Sequence, residues 1–311
     1  MKHVTGALVL AGLALAGGCA RLPATGVTPL KAATVSELRA QVLGRKPDVD
    51  LFRQRGPFVV DQRTNRELRL SATERIDTDL YLSSPAGKAP LVILLHGHDN
   101  TKADHAYQAF HLASWGLHSL AVTLPKNGPW IDNGRTLSRI AALIRSRPEI
   151  LDRRIDADRI ILAGHSYGAA AAAIALAVGA PASGGVLLDP AGIGKGLPGY
   201  LRKIDKPVMV IGADERVSAV HDRRHFYQYI RRNVREVSIN EAHHEDGQFP
   251  FESAFRLISG DTNATPELQI TFVSALTASA FSLAHTGSFD YAWASFGGAL
   301  RSGRLFGARR K

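Results

Sequence analysis

Residues 159–178 read RIILAGHSYGAAAAAIALAV, an apolar run followed by a glycine-flanked serine and an alanine-rich segment. The apolar run predicts a buried strand, and the alanines predict a helix that begins at Ser166. A G-x-S-x-G turn between a strand and a helix is typical of a nucleophile elbow, in which the serine hydroxyl projects from a sharp turn. Because a helix N-terminus carries partial positive charge, it favours an anion that develops beside it. We therefore predict that Ser166 is a nucleophile.

Strands and helices alternate along the chain on both sides of this stretch. Such alternation predicts an α/β fold, with a mostly parallel sheet and helices on both of its faces. We predict eight strands, the first two antiparallel, at residues 58–60, 76–83, 91–95, 117–123, 159–163, 185–188, 207–211 and 235–239. We predict helices at residues 34–43, 102–115, 135–147, 166–178 and 218–232, and a last long helix that Thr265 caps and Pro266 opens.

The composition is that of a chain with a large buried core. Of its 311 residues 45% are hydrophobic and 21% are charged, and the formal net charge is +10. These values exclude a disordered or collagen-like chain, and a single cysteine excludes a disulfide framework and a cysteine-based zinc site. The basic residues are not interleaved with aromatic residues and form no nucleic-acid motif. We therefore expect no nucleic-acid partner, and a surface that favours anionic polymers or lipid head groups.

The first twenty residues have the features of a secretory signal: Lys2, an apolar stretch over residues 4–16, and small residues before Cys19. A cysteine in this position resembles the lipobox of bacterial lipoproteins, although Ala16 stands where that family more often has Leu or Val. The resemblance implies cleavage before Cys19 and lipid attachment to it, and the alternative is an ordinary signal peptide with an incidental cysteine. We divide the chain into a signal peptide (1–18), a lipid-anchor tether with an N-terminal extension (19–54) and a catalytic domain (55–311). The expected location is the cell envelope, facing the periplasm or the outside, with membrane contact through lipidated Cys19.

The loop at residues 96–100, HGHDN, follows the buried strand LVILL. In a fold with a nucleophile elbow, one oxyanion-hole N–H comes from the residue after the serine and another comes from the loop after the third strand. We therefore predict that the N–H groups of Tyr167 and His98 are the donors, and that His96 is a packed, hydrogen-bonded residue that shapes the loop. The nearby histidines lack the H-x-H-x-D-H spacing of zinc hydrolases, because residues 100 and 101 are Asn and Thr. We expect no metal and no other cofactor.

A serine nucleophile needs a histidine base and an acid that orients the base, and in this fold they follow the serine in the order acid, then histidine. The loop NEAHHED, residues 240–246, follows the last predicted strand and offers His243 and His244, which position alone does not rank. His221 and His225 are poorer candidates because they precede that strand. Two acids compete at strand ends, Asp189 and Asp214.

Three segments carry a resemblance to a known family: PLVILLHGH (90–98), GHSYGAA (164–170) and VLLDPAG (186–192). Over residues 55–260 the chain resembles an α/β-hydrolase, and more narrowly the chlorophyllase and platelet-activating-factor acetylhydrolase branch. The resemblance implies that Asp189 is the acid and that His244, which opens an H-x-D segment, is the base. Asp214 stays the alternative acid, because many other α/β-hydrolases keep theirs after the following strand.

The expected activity is that of a serine hydrolase that cleaves small-molecule or lipid carboxylic esters through an acyl-enzyme. Only 17 residues, 190–206, separate two predicted strands where such enzymes often insert a lid, so we expect no large lid domain and an open cleft. Trp130 and Tyr167 are candidates for its walls. A peptidase or thioesterase with the same triad, and a non-catalytic envelope lipoprotein on a hydrolase scaffold, are the alternatives.

Overall fold

A computed structural model describes residues 30–84, 87–125, 128–250 and 266–311. The described residues form one sheet of nine strands, β1 (Val60–Arg69), β2 (Arg75–Ser83), β3 (Ala89–Leu95), β4 (His118–Thr123), β5 (Ile155–His165), β6 (Gly184–Leu188), β7 (Val208–Gly212), β8 (Val234–Ile239) and β9 (Leu305–Arg310). The strand order is β1-β2-β4-β3-β5-β6-β7-β8-β9. Strands β3 to β8 are parallel to one another, and β1, β2 and β9 are antiparallel to their neighbours. The predicted α/β fold is confirmed.

The predicted number of eight strands is wrong by one, because β9 was missed. This strand has the sequence LFGARR, and only Leu305 in it is buried. It pairs with β8 at the edge of the sheet, where a strand exposes most of its side chains and carries no apolar run. The first strand was misplaced for the same reason, since β1 is polar and mostly exposed.

Helices cover both faces of the sheet. They are α1 (Val35–Leu43), α2 (Ala106–Ser114), α3 (Trp130–Ser146), α4 (Tyr167–Ala177), α5 (Leu197–Leu201), α6 (Arg224–Tyr229), α7 (Pro266–Thr286), α8 (Asp290–Ser295) and α9 (Gly297–Arg301). One face packs against α1, α2, α7, α8 and α9 through residues such as Leu38, Leu112 and Phe281. The other face packs against α3 to α6 through residues such as Leu137, Ile174 and Phe226.

Two predicted helical features differ from the structure. The helix expected over 218–232 is limited to α6, because Asp222 adopts a positive φ of 57° and interrupts helical geometry before it. The helix expected to begin near Pro266 is α7, while its proposed cap Thr265 lies outside the described residues.

Helix α7 has 21 residues, and an 18-residue stretch of it has a mean hydropathy of 1.2, so by length and composition it could cross a membrane. In the structure 89% of that stretch is buried inside the protein, so α7 is a core helix of this domain. Its first two turns hold part of the N-terminal extension, since Arg53 donates hydrogen bonds to Glu267 and Thr271. Phe52 and Leu38 are fully buried in the same core. Residues 30–53 are therefore packed onto the body of the protein.

The parallel strands give the sheet two unlike edges. The carboxyl edge is where β3 to β8 end, and it carries the loops that begin at residues 96, 124, 166, 189, 213 and 240. The amino edge is where these strands begin. In open α/β sheets, sites form outside the carboxyl ends of the strands.

Candidate active site

Ser166 occupies a strained turn between β5 and α4. Its backbone has φ 57° and ψ −126°, a conformation that L residues rarely adopt and that costs on the order of 1–3 kcal/mol. The Ser166 N–H donates to the carbonyl of Leu188 at the end of β6. The turn also lies tightly against β3, since a Cβ on Gly168 would stand 2.1 Å from the carbonyl oxygen of His96. Neighbouring strands thus hold the serine in the geometry expected of a nucleophile elbow.

The loop after β3 lies directly against the serine. A Cβ on Gly97 would be 3.0 Å from the Cβ of Ser166. His96 is buried, and its ring bonds the carbonyl of Gly97 and the N–H of Leu124, which confirms the expectation that it is a packed residue that shapes this loop. His98 is half-exposed, and its ring meets the ring of Tyr167 edge-on at 5.8 Å. Tyr167 is the first residue of α4, a position whose N–H has no intrahelical acceptor.

A histidine and a carboxylate meet at the same edge. Nδ1 of His244 lies 2.6 Å from Oδ2 of Asp189. Asp189 follows β6 and is fully buried, whereas His244 lies in the loop after β8 and is the first residue of a short 3-10 helix, His244–Gly247.

The other candidate acid, Asp214, does not contact His244. Its carboxylate accepts hydrogen bonds from the side chain of Arg216 and from the backbone N–H of Glu241. The Arg216 side chain holds the pKa of Asp214 well below its usual range.

The second oxygen of Asp189 is held by groups that the sequence analysis did not single out. Oδ1 accepts a hydrogen bond of 2.7 Å from the guanidinium of Arg223 and one of 2.9 Å from the N–H of Ala213. The guanidinium also donates to the carbonyl of Ala213 and is itself buried. These bonds fix the carboxylate so that Oδ2 faces His244.

His165 supports the loop that carries His244. It is fully buried, and its Nε2 donates to the carbonyl oxygen of His244 over 2.9 Å, while its Nδ1 accepts from the amide of Gln248. Burial and the neighbouring ring of His244 lower the pKa of His165 well below its ordinary value. The ring therefore stays neutral and keeps one donor and one acceptor. A clue was present in the sequence, since His165 lies inside the GHSYG motif.

Ser166 and His244 line one cleft of about 490 Å³, together with His98, Tyr167 and Gln248. An adjoining groove of about 520 Å³ is walled by Pro129, Trp130, Ile131 and Ile193, and shares His98, Tyr167 and His221 with the cleft. Trp130 and Tyr167 stack with ring centroids 5.5 Å apart. Across the described ranges, no group of three or more His, Cys, Asp or Glu side chains is arranged to hold a metal ion.

Two comparisons with known proteins bear on this site. No curated protein matches the chain significantly. Residues 92–297, about two thirds of the chain, match the sequence model described as the alpha/beta hydrolase family. The matched region runs from β3 to α9 and contains Ser166, Asp189 and His244. With a mostly parallel nine-stranded sheet and no large additional domain among the described residues, the chain belongs to the alpha/beta hydrolase family.

Proposed function

We propose that this protein is a serine hydrolase that cleaves carboxylic esters, with Ser166 as nucleophile, His244 as base and Asp189 as the orienting acid. The observation that carries the proposal is the 2.6 Å contact between His244 Nδ1 and Asp189 Oδ2 in a cleft that Ser166 also lines. A buried carboxylate on Nδ1 keeps the proton there, so that Nε2 is the nitrogen available to accept one from a serine hydroxyl. This fixed tautomer is what a base for a serine nucleophile requires.

The reaction follows from these positions. His244 accepts the hydroxyl proton of Ser166 at Nε2 while the serine oxygen bonds to the ester carbonyl carbon. The N–H groups of Tyr167 and His98 stabilise the oxyanion, and the N-terminus of α4 adds partial positive charge beside it. The protonated His244 gives its proton to the departing alcohol. Water then attacks the acyl-enzyme, again through His244, and releases the acid and the serine.

Asp189 is preferred over Asp214 as the acid because of their different partners. Asp189 directs one oxygen to His244 and the other to Arg223 and Ala213. Asp214 places its oxygens on Arg216 and on the N–H of Glu241, and so it fixes the loop after β8. Asp214 therefore has a structural role in this proposal.

A small-molecule or lipid ester fits the site better than a large folded substrate. The groove of Pro129, Trp130, Ile131 and Ile193 is mainly apolar and leads directly into the cleft at Tyr167. Apolar walls favour the acyl or alcohol part of an ester, while the polar end of the cleft holds the reacting carbonyl.

The test is labelling with a fluorophosphonate probe together with hydrolysis of p-nitrophenyl esters of several chain lengths. We expect the wild-type chain to label and Ser166→Ala to lose both label and turnover. Asp189→Asn is expected to lower kcat by ~10⁴-fold, as for other triad aspartates. Asp214→Asn serves as the matched control, and because Asp214 does not contact His244 we expect its kcat to fall far less than that of Asp189→Asn. An unlabelled but folded wild-type chain would refute the proposal, and faster turnover of thioester or peptide analogues would reassign the substrate.

We further propose that the chain is exported and anchored through a lipid on Cys19, which residues 1–18 and the lipobox-like context support. Mass spectrometry of the membrane-extracted protein is expected to find the chain beginning at a lipid-modified Cys19. A mature chain that begins elsewhere or carries an unmodified Cys19 would contradict this.

A further inference from the structure

The two edges of the parallel sheet carry opposite charge. Among the described residues, the segments at the amino edge (84, 87–88, 115–117, 147–154, 178–183, 202–207, 230–233 and 310–311) contain eleven basic and three acidic residues. The described loops at the carboxyl edge (96–105, 124–125, 128–129, 189–196, 213–223 and 240–250) contain four basic and nine acidic residues. The amino edge therefore carries net positive charge, and the edge with the candidate active site carries net negative charge.

Most of the amino-edge cations face solvent. We call the amino-edge surface the set of exposed cations Lys88, Arg147, Arg153, Arg202, Lys203, Lys206, Arg231, Arg232, Arg310 and Lys311. The exposed acids in these segments are Glu149 and Asp205. Two further exposed acids nearby, Asp158 and Asp290, are each paired with an arginine. A surface of this extent with a large excess of cations attracts polyanions and anionic membranes.

A pocket of about 390 Å³ opens within this surface. It is lined by Asn233, Arg235, Ser288, Arg310 and Lys311, among others. Arg235 pairs with Asp290 through one nitrogen, while its Nη1 is buried and makes no hydrogen bond within the described residues. The hydroxyl of Ser288 donates to Asp290, so the donors left for a phosphate oxygen are the side chains of Asn233, Arg235, Arg310 and Lys311.

The chain also enters the fold at this edge. Val35, at the start of α1, lies beside Gly116, immediately before β4. Leu30 is buried in the adjoining core, eleven residues after Cys19. Eleven residues span at most about 40 Å when fully extended. A lipid on Cys19 would therefore tether the domain to the bilayer from its amino-edge side.

We propose that the amino-edge surface docks on a bilayer of anionic phospholipids, with a lipid phosphate in the pocket formed by Arg235, Arg310 and Lys311. A bilayer is favoured over a soluble polyanion because the cations come from several loops along one edge, where the chain also enters from Cys19. In this orientation the cleft of Ser166 opens away from the membrane, and its substrates arrive from the aqueous side. The proposal concerns binding and does not depend on the hydrolase activity.

The experiment is sedimentation with vesicles, using residues 19–311 with Cys19→Ser so that neither the signal segment nor a covalent lipid contributes. We expect stronger binding to vesicles of phosphatidylcholine mixed with phosphatidylglycerol than to phosphatidylcholine alone, and weaker binding as salt is raised. The triple variant Arg231→Gln, Arg232→Gln, Arg310→Gln should lose on the order of 100-fold in affinity for the anionic vesicles, at roughly fivefold per cation.

The matched control removes three exposed cations elsewhere: Arg66→Gln, Arg69→Gln, Lys195→Gln. It has the same change in net charge and is expected to retain most of the binding, while circular dichroism checks that both variants fold. Equal losses in the two variants would overturn the proposal, because net charge alone would then explain the binding. Binding to soluble polyphosphate that exceeds binding to vesicles of equal anionic charge would also overturn it, as would no preference for anionic vesicles.

Discussion

Arg223 does not line the candidate active-site cleft, but it positions one of the residues of the site, Asp189. Its buried guanidinium holds Oδ1 of Asp189, and so fixes the carboxylate whose Oδ2 contacts His244. A hydrogen bond to a charged group contributes about 1.5–3 kcal/mol, which corresponds to roughly 10–100-fold in rate if it acts on the transition state.

We predict that Arg223→Gln lowers kcat for ester hydrolysis by about 10–100-fold and leaves KM nearly unchanged. The reason is that Arg223 does not contact the substrate, whereas the stability of the imidazolium formed at His244 depends on the position of the Asp189 carboxylate. Arg223→Lys, which keeps the charge, should recover part of the loss. Steady-state kinetics of the wild-type and variant proteins test this, with enzyme concentrations corrected for the folded fraction of each protein. A change in KM without a change in kcat would contradict the positioning role of Arg223.

The candidate site was predictable from features of the sequence that are local. Ser166, Asp189 and His244 each lie next to the end of a predicted strand, and carboxyl ends of parallel strands meet at one edge. Arg223 carried no such signal, because it lies in a segment that was predicted to be helical. Its contacts join Asp189, Ala213 and Ser238 from three different strand ends, and only the assembled sheet brings these together.

At the scale of elements, buried strands were predictable and edge strands were not. Strands β3, β6 and β7 are fully buried inside the sheet, and their sequences APLVILL, GGVLL and VMVIG are continuous apolar runs. Strands β1 and β9 lie at the two edges and expose most of their side chains. Their sequences therefore contain no apolar pattern from which a strand could be predicted.

The contact between α3 and α4 depends on one glycine. A Cβ on Gly134 would stand 2.7 Å from the side chain of Ile174 and 2.8 Å from the carbonyl oxygen of Ala171, so the two helices touch closely there. We predict that Gly134→Ala lowers the free energy of unfolding by about 1–3 kcal/mol, because overpacking outweighs the helix propensity that alanine gains.

The control for this change is Gly298→Ala in α9. Gly298 is exposed, and a Cβ there would meet no atom of the described residues within 4 Å. Only the higher helix propensity of alanine then acts at this position, and we expect the free energy of unfolding to rise by up to about 1 kcal/mol. Urea denaturation of both variants measures the difference. A stabilised Gly134→Ala variant would mean that α3 and α4 can separate at little cost.

For the whole molecule, buried histidines set the response to acid. Burial lowers the pKa of five of them: to about 4 for His105, His111 and His118, to about 3 for His285, and well below its ordinary value for His165. In the unfolded chain these rings bind protons below about pH 6.5. Between about pH 6.5 and 4 the unfolded state therefore holds more protons than the folded state, and folding stability falls as the pH is lowered. Burial raises the pKa of Glu236 and Asp246, which oppose this trend, but they are fewer.

We predict that the melting temperature falls steadily from pH 7 to pH 5, with each buried histidine contributing up to about 1.4 kcal/mol per pH unit. His285→Leu should reduce this slope, because one proton-binding group is removed from the unfolded state while the leucine packs against Phe281. Gly298→Ala, which changes no titratable group, should leave the slope unchanged. Calorimetric scans at pH 7, 6 and 5 on the three proteins provide the measurement. The lowered pKa values of Asp152 and Asp214 act only below about pH 4, so a melting temperature that is constant or rises over this range would contradict the prediction that the buried histidines dominate the response to acid.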